Sequence, residues 1–315
     1  MRAKNKKAQV PKFKTLFDLL NSNPTEQDCI GYFKKRRWKE KIVSPFDSTS
    51  KVYQCANNQY KCKNTNKYFN VRTKTVFENS KIPLLKWFWA LYLLSFNKKG
   101  ISSCQLAGHV SVSVTQKTAW FMLHRLRRAF DCPVFKTMLG NSVELDETFI
   151  GGKNKNRHKD KKVPRCQGRS WKDKSPVLVM QERGGNVITQ VVPNTKQSTL
   201  EPIIKANIKP SSNVYTDEWY RHSNLSKIFN HQLVNHRIKQ YVNGEASTNC
   251  AENFNSHLKR GIYGTYHWIS KKHTPKYVDE FTLRFNTRKY NQQDRFDLVL
   301  LSAVGKRLTY RQLIN

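Results

Sequence analysis

The order of the predicted strands and helices after about residue 140 is the strongest constraint on the fold. The pattern predicts three strands joined by turns, the last pair by Gly184-Gly185, then a helix, a short strand and two helices. These elements are expected at 143–150, 177–181, 187–192, 198–207, 213–216, about 219–229 and 248–260. Three strands, a helix, a strand and then helices is the order of an RNase H-like fold. Residues 140–292 are therefore predicted to form one α/β domain of that kind.

The chain before this α/β part follows a different pattern. Residues 1–80 alternate polar and aromatic pieces with turns, and a strand is predicted at 67–72, so we expect a small β module with a poor core. The run at 83–96 is apolar but shorter than the ~20 residues that span a bilayer, which predicts a buried helix. Residues 81–135 are expected to be helical and 293–315 to be a C-terminal tail. The whole chain is predicted to be α+β.

Two helices around a tight turn are predicted inside the helical region, at about 102–107 and 115–128. In the second helix, apolar residues recur at helical spacing and are expected to face the core: Ala119, Met122, Leu123, Leu126 and Phe130. Four polar residues are expected on the surface: Lys117, His124, Arg125 and Arg128. This outline predicts a helix-turn-helix that binds DNA phosphates. An amphipathic helix with a solvated charged side fits the segment alone equally well.

The net charge of the chain favours a polyanionic partner. Lys and Arg number 57 against 22 Asp and Glu, a formal charge of +35, which is hard to keep compact without a polyanion nearby. The basic residues run through the whole sequence among Trp, Tyr and Phe. This distribution argues against attachment to an anionic membrane and against a role in solubility alone. DNA is therefore the expected partner, and no membrane contact is expected.

The sequence also predicts the compartment. The basic start lacks the apolar core of a signal peptide, and no stretch approaches the ~20 apolar residues that span a bilayer. The 7 cysteines, an odd number, are scattered along the chain and form no disulfide framework. We expect a cytosolic protein with free thiols.

Three of the 22 acidic residues lie in predicted strands or near the start of a predicted helix. Asp146 lies in a predicted strand, Asp217 ends another, and Glu252 lies early in a predicted helix. A fold that brings these elements together would converge three hard oxygen ligands, which suit Mg²⁺ or Mn²⁺. Two such ions ~4 Å apart can activate a nucleophile and stabilise the leaving 3′ oxygen in phosphoryl displacement. On residue type alone, however, each acid is more often a surface or salt-bridged group.

Several separated motifs together resemble one family. The motifs are VRTKT at 71–75, TAWFMLHR at 118–125, LDETFIGGK at 145–153, VYTDE at 214–218, TNCAENFNSHLKRG at 248–261, GTYHWISKKH at 264–273 and EFTLRFN at 280–286. With these motifs the chain is similar to insertion-sequence transposases of the DDE type, which have a zinc-ribbon and helix-turn-helix head and an ISXO2-like (RNase H-like) transposase domain. The resemblance covers about residues 25–290. Several motifs in one order are more specific than any single motif.

The resemblance implies that Asp146, Asp217 and Glu252 are the catalytic residues and hold two Mg²⁺ or Mn²⁺ ions. Some relatives use Asn as the third ligand, which leaves Asn249 and Asn253 as auxiliary candidates. Glu252 is ranked first because a charged ligand binds a hard cation better.

Several basic residues on predicted helices are expected to contact DNA. Lys259 lies seven residues, about two turns, after Glu252, so both side chains project from nearly the same helix face. His267 is an auxiliary candidate for a contact to DNA or the leaving group. The residues expected to bind DNA are Lys259, Arg260, Lys117, Arg125 and Arg128.

The function implied is that of a transposase in the bacterial cytoplasm, associated with the nucleoid. It would bind the terminal inverted repeats of an insertion sequence through its head and cut and join DNA with its RNase H-like domain. Its partners would be transposon ends and target DNA, and the pairing of two ends implies a homo-oligomer. The alternative is a catalytically silent, transposase-derived DNA-binding protein. A nuclease on the same fold would cut DNA without joining it.

The head departs from the family pattern. Where relatives place two Cys-x-x-Cys pairs, this chain has Ser44 with Asp47 and Cys62 with Thr65. Three of the four zinc ligands are absent. We therefore predict a ribbon-shaped module without zinc.

Other candidate residues carry weaker signals. The segment from His231 to His236 lacks the glutamate of the metalloprotease signature and fits a strand better. His273 is a loop candidate for a DNA contact, like His267. Three tryptophans could stack on bases, although Trp is more often a core residue: Trp171, Trp219 and Trp268.

Overall fold

The protein is described here by a computed structural model covering residues 13–164, 166, 170–217, 220, 224–235 and 242–314. The chain divides into two compact units. The first contains the described residues up to Asn97, Ile101–Ala129 and the chain from Tyr290 onward. The second contains Lys98–Gly100 and the described part of Phe130–Lys289.

The described helices and strands are numbered in chain order. The helices are α1 (Leu16–Ser22), α2 (Glu26–Trp38), α3 (Leu84–Phe96), α4 (Ser103–Gly108), α5 (Gln116–Phe130), α6 (Gln197–Asn207), α7 (Asn249–Gly261), α8 (Thr274–Asn286), α9 (Gln292–Ser302) and α10 (Tyr310–Ile314). The strands are β1 (Val52–Gln54), β2 (Tyr60–Cys62), β3 (Tyr68–Phe69), β4 (Ser142–Ile150), β5 (Ser175–Glu182), β6 (Val187–Val191), β7 (Asn213–Asp217) and β8 (Asn230–Val234). The predicted α+β class is confirmed.

In the first unit, one helix fixes the start of another. The Thr25 hydroxyl accepts from the Asp28 backbone N–H at 3.3 Å, and the Asp28 carboxylate accepts from the Thr25 N–H at 3.1 Å, so α2 begins with a reciprocal cap. The carboxylate of Glu26 accepts at 2.9 Å from the N–H groups of both Leu84 and Leu85. A carboxylate stabilises the unpaired N–H groups at a helix start. Glu26 of α2 therefore sets where α3 begins.

The apolar run at 83–96 forms α3, as predicted. Most of its apolar side chains are buried: Leu84, Trp87, Phe88, Ala90, Leu91, Tyr92 and Leu94. Its 13 residues are far fewer than a bilayer requires. In the described part of the chain, none of the helices has the length and apolar character to cross a membrane.

An aromatic core joins α2, α3 and α9. The rings of Tyr32 and Phe88 lie 5.9 Å apart, and those of Phe88 and Phe296 lie 5.2 Å apart. The Tyr32 hydroxyl donates to the Asp297 carboxylate at 2.6 Å, and Arg36 pairs with the same carboxylate at 2.6 Å. The segment 293–315, expected as a tail, thus contributes α9 to a packed core.

Within residues 1–80, predicted as a small β module with a poor core, the described strands form an antiparallel sheet in the order β1-β2-β3. The helices α1 and α2, which the sequence pattern did not predict, precede this sheet. On its inner face, Tyr60, Cys62 and Phe69 are at most 1% exposed. The Trp38 ring of α2 packs on Tyr60 at 5.5 Å and on Phe69 at 6.1 Å. The small sheet is therefore covered by an aromatic side chain from the neighbouring helix.

The helices predicted around a turn are α4 and α5, and the five apolar residues of α5 expected in the core are buried. The expectation that His124 and Arg125 lie on the surface is wrong, since they are 0% and 5% exposed. Arg125 donates to the Glu78 carbonyl at 2.5 Å and lies over the Trp87 ring at 5.3 Å. Burial, together with the nearby Arg307 charge, lowers the pKa of Arg125 to about 10.

The second unit is built on a mixed sheet in the order β6-β5-β4-β7-β8. The pairs β4-β5 and β5-β6 are antiparallel, whereas β4-β7 and β7-β8 are parallel. Three antiparallel strands, α6 and then a parallel strand follow the predicted order of elements. Both faces of the sheet carry apolar clusters, so helices cover it on both sides.

Alternation along the strands decides which residues face which helices. Leu145 and Leu178 point to the cluster that includes α6. Val177 and Val179 point to the cluster that includes α7 and α8. Because strand neighbours point to opposite faces, Glu144 and Asp146 lie on the α7 side.

A close approach between α7 and α8 holds this second layer. A Cβ atom on Gly261, at the end of α7, would lie 2.1 Å from the Phe281 ring of α8. The absence of a side chain there lets the two helices pack directly against each other. A single π-helical turn, Ile262–Tyr266, follows α7.

The helix predicted at about 219–229 is not an α-helix in the described residues. A helix was expected at about 219–229, but the described residues there form a 3₁₀ turn at Asn224–Lys227. The strand β8 follows, which agrees with the strand interpretation of His231. His236 and Trp219 lie outside the described residues.

Candidate active site

The three predicted acids come from neighbouring elements on the α7 side of the sheet. Asp146 lies in β4, Asp217 is the last residue of β7, which pairs with β4 in parallel, and Glu252 lies in the first turn of α7. All three line one open cleft. The other residues that line it are Glu147, Phe149, Lys174, Thr248, Asn255, Ser256 and Lys259.

The electrostatics of Asp146 show that the acids act on each other. Burial raises its pKa, the charges of Asp217 and Glu252 raise it further, and a hydrogen bond from Asn255 lowers it, to about 6 in all. That hydrogen bond runs from Asn255 Nδ2 to Asp146 Oδ2 at 2.7 Å. Burial and repulsion between the acids disfavour the charged form of Asp146, and a bound cation relieves that repulsion.

One face of α7 supplies four of the lining residues, spaced by three or four positions as a helix face requires: Glu252, Asn255, Ser256 and Lys259. Thr248 Oγ1 donates to Glu252 Oε1 at 3.1 Å at the start of this face. The auxiliary candidates Asn249 and Asn253 are exposed and do not belong to the lining set.

The remaining predicted DNA contacts are spread more widely. Arg260 is exposed beside the cleft-lining face, with its Nε donating to the Ser256 carbonyl at 3.2 Å. Lys117 and Arg128 are exposed on α5. His267 has a positive φ of 58° after the π-helical turn, and its ring contacts the Tyr263 carbonyl at 3.1 Å.

The donor set of the cleft fits a hard divalent cation. Asp146, Asp217 and Glu252 offer carboxylate oxygens, the ligands that Mg²⁺ and Mn²⁺ prefer. The buried Asn255 Oδ1 beside them has no hydrogen-bond partner among the described residues. Across the described ranges, no group of three or more His, Cys, Asp or Glu side chains is already arranged to hold an ion.

Sequence reasoning missed several residues of this site. Asn255 and Lys174 line the cleft, and so does Glu147, which accepts a hydrogen bond from the Tyr220 hydroxyl. Helical spacing from Glu252 could have identified Asn255, because Asn255 lies three positions further along the helix. Nothing in the sequence pattern singles out Lys174, since it reaches the cleft from the residue before β5.

The weaker candidates lie apart from the lining residues. Trp171 and Trp268 are 44% and 72% exposed. His231 contacts the Thr216 hydroxyl at 2.7 Å, and burial lowers its pKa. Among the described residues, none of the three lines the cleft.

At the former zinc positions of the head, hydrogen bonds connect the residues. The Ser44 hydroxyl accepts from the N–H groups of Phe46 and Asp47 at 3.2 and 3.4 Å, and the Asp47 carboxylate accepts from Asn64 Nδ2 at 2.7 Å. Burial raises the pKa of Cys62, while hydroxyls including that of Ser44 lower it, to about 6 in all.

Elemental analysis of the purified protein is expected to find no stoichiometric zinc, because hydroxyls and one carboxylate stand where soft thiolates are needed. The matched comparison is the variant carrying Ser44→Cys, Asp47→Cys and Thr65→Cys. That variant should bind one zinc per chain. One tightly bound zinc in the unaltered protein would show that the prediction is wrong.

Comparisons with known proteins show which family the chain resembles. Residues 138–286 match the family model described as the ISXO2-like transposase domain. The chain is 29% identical over 294 residues to an uncharacterized protein in transposable element ISH50 of Halobacterium salinarum, covering 89% of this chain and 97% of that protein. It is 35% identical over 113 residues to an uncharacterized transposase-like protein of Haemophilus influenzae, covering 34% of this chain and 86% of that protein.

Proposed function

Since the chain belongs to the family of proteins with an ISXO2-like transposase domain, we propose that it is a DDE transposase with an RNase H-like catalytic domain. It binds the terminal inverted repeats of an insertion sequence, cuts DNA at the ends and joins them to target DNA. The observation that carries this proposal is the cleft in which Asp146, Asp217 and Glu252 meet.

In this proposal Asp146, Asp217 and Glu252 hold two Mg²⁺ or Mn²⁺ ions. When bound, these ions activate the attacking hydroxyl and stabilise the leaving 3′ oxygen. Asn255 fixes the orientation of the Asp146 carboxylate through its amide hydrogen bond. Lys259, which lines the same cleft, binds a phosphate oxygen and so positions the scissile strand.

DNA binding follows from charge as well as from family. The formal charge of +35 favours a polyanion along much of the protein. The head, with α4 and α5, contacts the transposon end, and Lys117 and Arg128 contribute from the exposed side of α5. Two ends must be paired for transposition, so the active form is a homo-oligomer on DNA.

The direct test uses the full-length protein and a labelled duplex that carries the end of its own element, with a plasmid as target. In Mg²⁺ we expect cleavage at the end and joining of the label to the plasmid, and in EDTA neither product. Binding without cleavage would favour the catalytically silent DNA-binding protein. Cleavage without joining would favour a nuclease.

A further inference from the structure

The outer face of the β1-β2-β3 sheet presents one cross-strand row of basic and aromatic side chains. Tyr53 pairs with Lys61, and Lys61 pairs with Tyr68, so the three residues stand side by side. Their strand neighbours Tyr60, Cys62 and Phe69 fill the buried inner face, which places this row outside. Tyr53 and Tyr68 are 42% and 60% exposed.

The row carries two ammonium groups, and no acidic residue lies in β1, β2 or β3. The Lys61 ammonium lies 5.5 Å from the Tyr68 ring centroid, and the Lys51 ammonium lies 5.4 Å from that of Tyr53. From Ser48 to Phe77 the sequence contains six Lys or Arg residues and no Asp or Glu. A cation held over each ring leaves the tyrosine hydroxyls and ammonium groups as donors on one surface.

The dimensions suit a DNA backbone. Neighbouring strands lie about 4.8 Å apart, so the row from Tyr53 to Tyr68 spans about 10 Å. Because a DNA strand winds around the helix axis, its consecutive phosphates lie further apart than their rise of about 3.4 Å, so such a row covers about two phosphates. Lysine and tyrosine side chains commonly donate to phosphate oxygens and carry no sequence information there.

We propose that this outer face, defined by Lys51, Tyr53, Lys61 and Tyr68, lies on the phosphate backbone of duplex DNA and binds it without sequence preference. The inference rests on the proposed function and assigns this surface a role within it. The helix-turn-helix is then free to contribute sequence recognition.

The test is fluorescence anisotropy of the full-length protein with a labelled duplex of arbitrary sequence over a salt series. For Lys51→Gln with Lys61→Gln, the slope of log Kd against log salt should fall by about two, since each lost phosphate contact removes about 0.9. Lys205→Gln is the matched control, because Lys205 is exposed on α6 and pairs with Glu201 at 3.9 Å. Its slope should equal that of the unaltered protein.

The outcomes separate this surface from the proposed function. If the salt slopes of the double variant and the control are equal while the unaltered protein still binds DNA, the outer face does not contact the backbone. That result would leave the transposase proposal intact. A double variant that binds single-stranded DNA more weakly but duplex DNA normally would also contradict the proposed contact with duplex DNA. Tyr53→Phe with Tyr68→Phe removes only the hydroxyls and should weaken duplex binding severalfold without changing the melting temperature.

A second inference concerns Glu144, a carboxylate that is 0% exposed two residues before Asp146. Its Oε2 accepts from the backbone N–H groups of Cys250 and Ala251 at 2.7 and 3.1 Å. Its Oε1 accepts from Arg183 Nε at 2.7 Å. The side chain thus joins β4 to the first turn of α7.

Arg183 holds the other side of this contact. Its Nη2 donates to the hydroxyl and carbonyl of Ser247 at 2.7 and 3.3 Å, and its guanidinium lies 4.3 Å from the Tyr215 ring centroid. Thr248, the residue before α7, makes no side-chain cap to the helix. Two of the N-terminal N–H groups of α7, those of Cys250 and Ala251, are therefore satisfied by a residue of the central strand.

The geometry points to Glu144 as a positioning residue that holds Glu252 opposite Asp146. Glu252 directly follows Ala251, whose N–H is bound to Glu144, and Asp146 follows Glu144 on the same side of β4. One side chain therefore sets the separation of two proposed ion ligands. This inference rests on the proposed active site.

The test is calorimetric titration of Mn²⁺ into DNA-free protein. Glu144→Gln keeps the shape but loses the charge, and residues that orient ligands typically change metal affinity by about 10–100-fold, so a weakening in that range is expected. Glu182→Gln, at the end of β5 and outside this contact, is the matched control and should bind Mn²⁺ normally. Arg183→Lys, which keeps the charge but not the two-sided contact, should weaken binding less.

A purely structural role would lower the melting temperature of Glu144→Gln without changing Mn²⁺ affinity per folded molecule, and that result would overturn the inference. If Glu144→Gln does not fold, unchanged Mn²⁺ affinity in Arg183→Lys would do the same. If the unaltered protein binds Mn²⁺ but never cleaves DNA, the proposed function fails while the positioning role stands.

Discussion

Replacing Asp217 by alanine is expected to lower the rate of Mg²⁺-dependent DNA cleavage by at least about a thousandfold. A divalent ion contributes several kcal/mol of transition-state stabilisation, and about 4 kcal/mol corresponds to a thousandfold in rate. Asp146→Ala and Glu252→Ala should have effects of the same size, because all three acids line one cleft. Single-turnover cleavage of a labelled transposon-end duplex measures the loss.

DNA affinity, measured by anisotropy, should not fall in these variants, since each removes a negative charge beside a polyanion. The matched control is Asn253→Ala, on an exposed position of the same helix outside the cleft lining. It should cleave at the normal rate. If Glu252→Ala cleaves DNA at the normal rate and either Asn253→Ala or Asn249→Ala loses cleavage, the third ion ligand is that asparagine and not Glu252.

Replacing Asp146 by asparagine is expected to stabilise the metal-free protein by roughly 3 kcal/mol at pH 8. Burial and the charges of Asp217 and Glu252 raise the pKa of Asp146 from 3.8 to about 6. Between pH 3.8 and about 6, Asp146 is therefore protonated in the folded protein and ionised in the unfolded chain. The stability associated with the neutral carboxyl is present below pH 3.8 and is lost as the pH rises through 6.

Urea unfolding in EDTA, across a pH series, measures this effect in the unaltered protein and in Asp146→Asn. The difference between their free energies of unfolding should be largest at pH 8 and should narrow steadily below pH 6. Adding Mg²⁺ at pH 8 should also reduce the difference in unfolding free energy, because a bound cation relieves the repulsion among the three carboxylates. A difference that does not vary with pH would contradict the electrostatic account of this cleft.

The sequence predicted most elements of the second unit, because their signals are local. Runs of apolar and β-branched residues between turns identified β4, β5 and β6 nearly to their ends. The acid in the first turn of α7 and the lysine two turns later identified the cleft-lining face of that helix. Family motifs then joined these local signals into one predicted site.

Long-range contacts explain what the sequence did not predict. His124 and Arg125 have a pattern typical of a surface, yet both are buried, and Arg125 is held by the Glu78 carbonyl and the Trp87 ring. The role of Glu144 depends on N–H groups 106 and 107 residues further along the chain. No local pattern contains such partners.

The most direct test of the central claim, that Asp146, Asp217 and Glu252 share one ion site, is affinity cleavage of the protein backbone by bound iron. Fe²⁺ replaces Mg²⁺ at carboxylate sites, and with ascorbate and peroxide it generates radicals that cut the chain nearby. We expect cuts close to all three residues, suppressed together by excess Mg²⁺ and absent in Asp217→Ala. Cuts confined to other parts of the chain, or cuts near the three residues that survive in Asp217→Ala, would contradict the account.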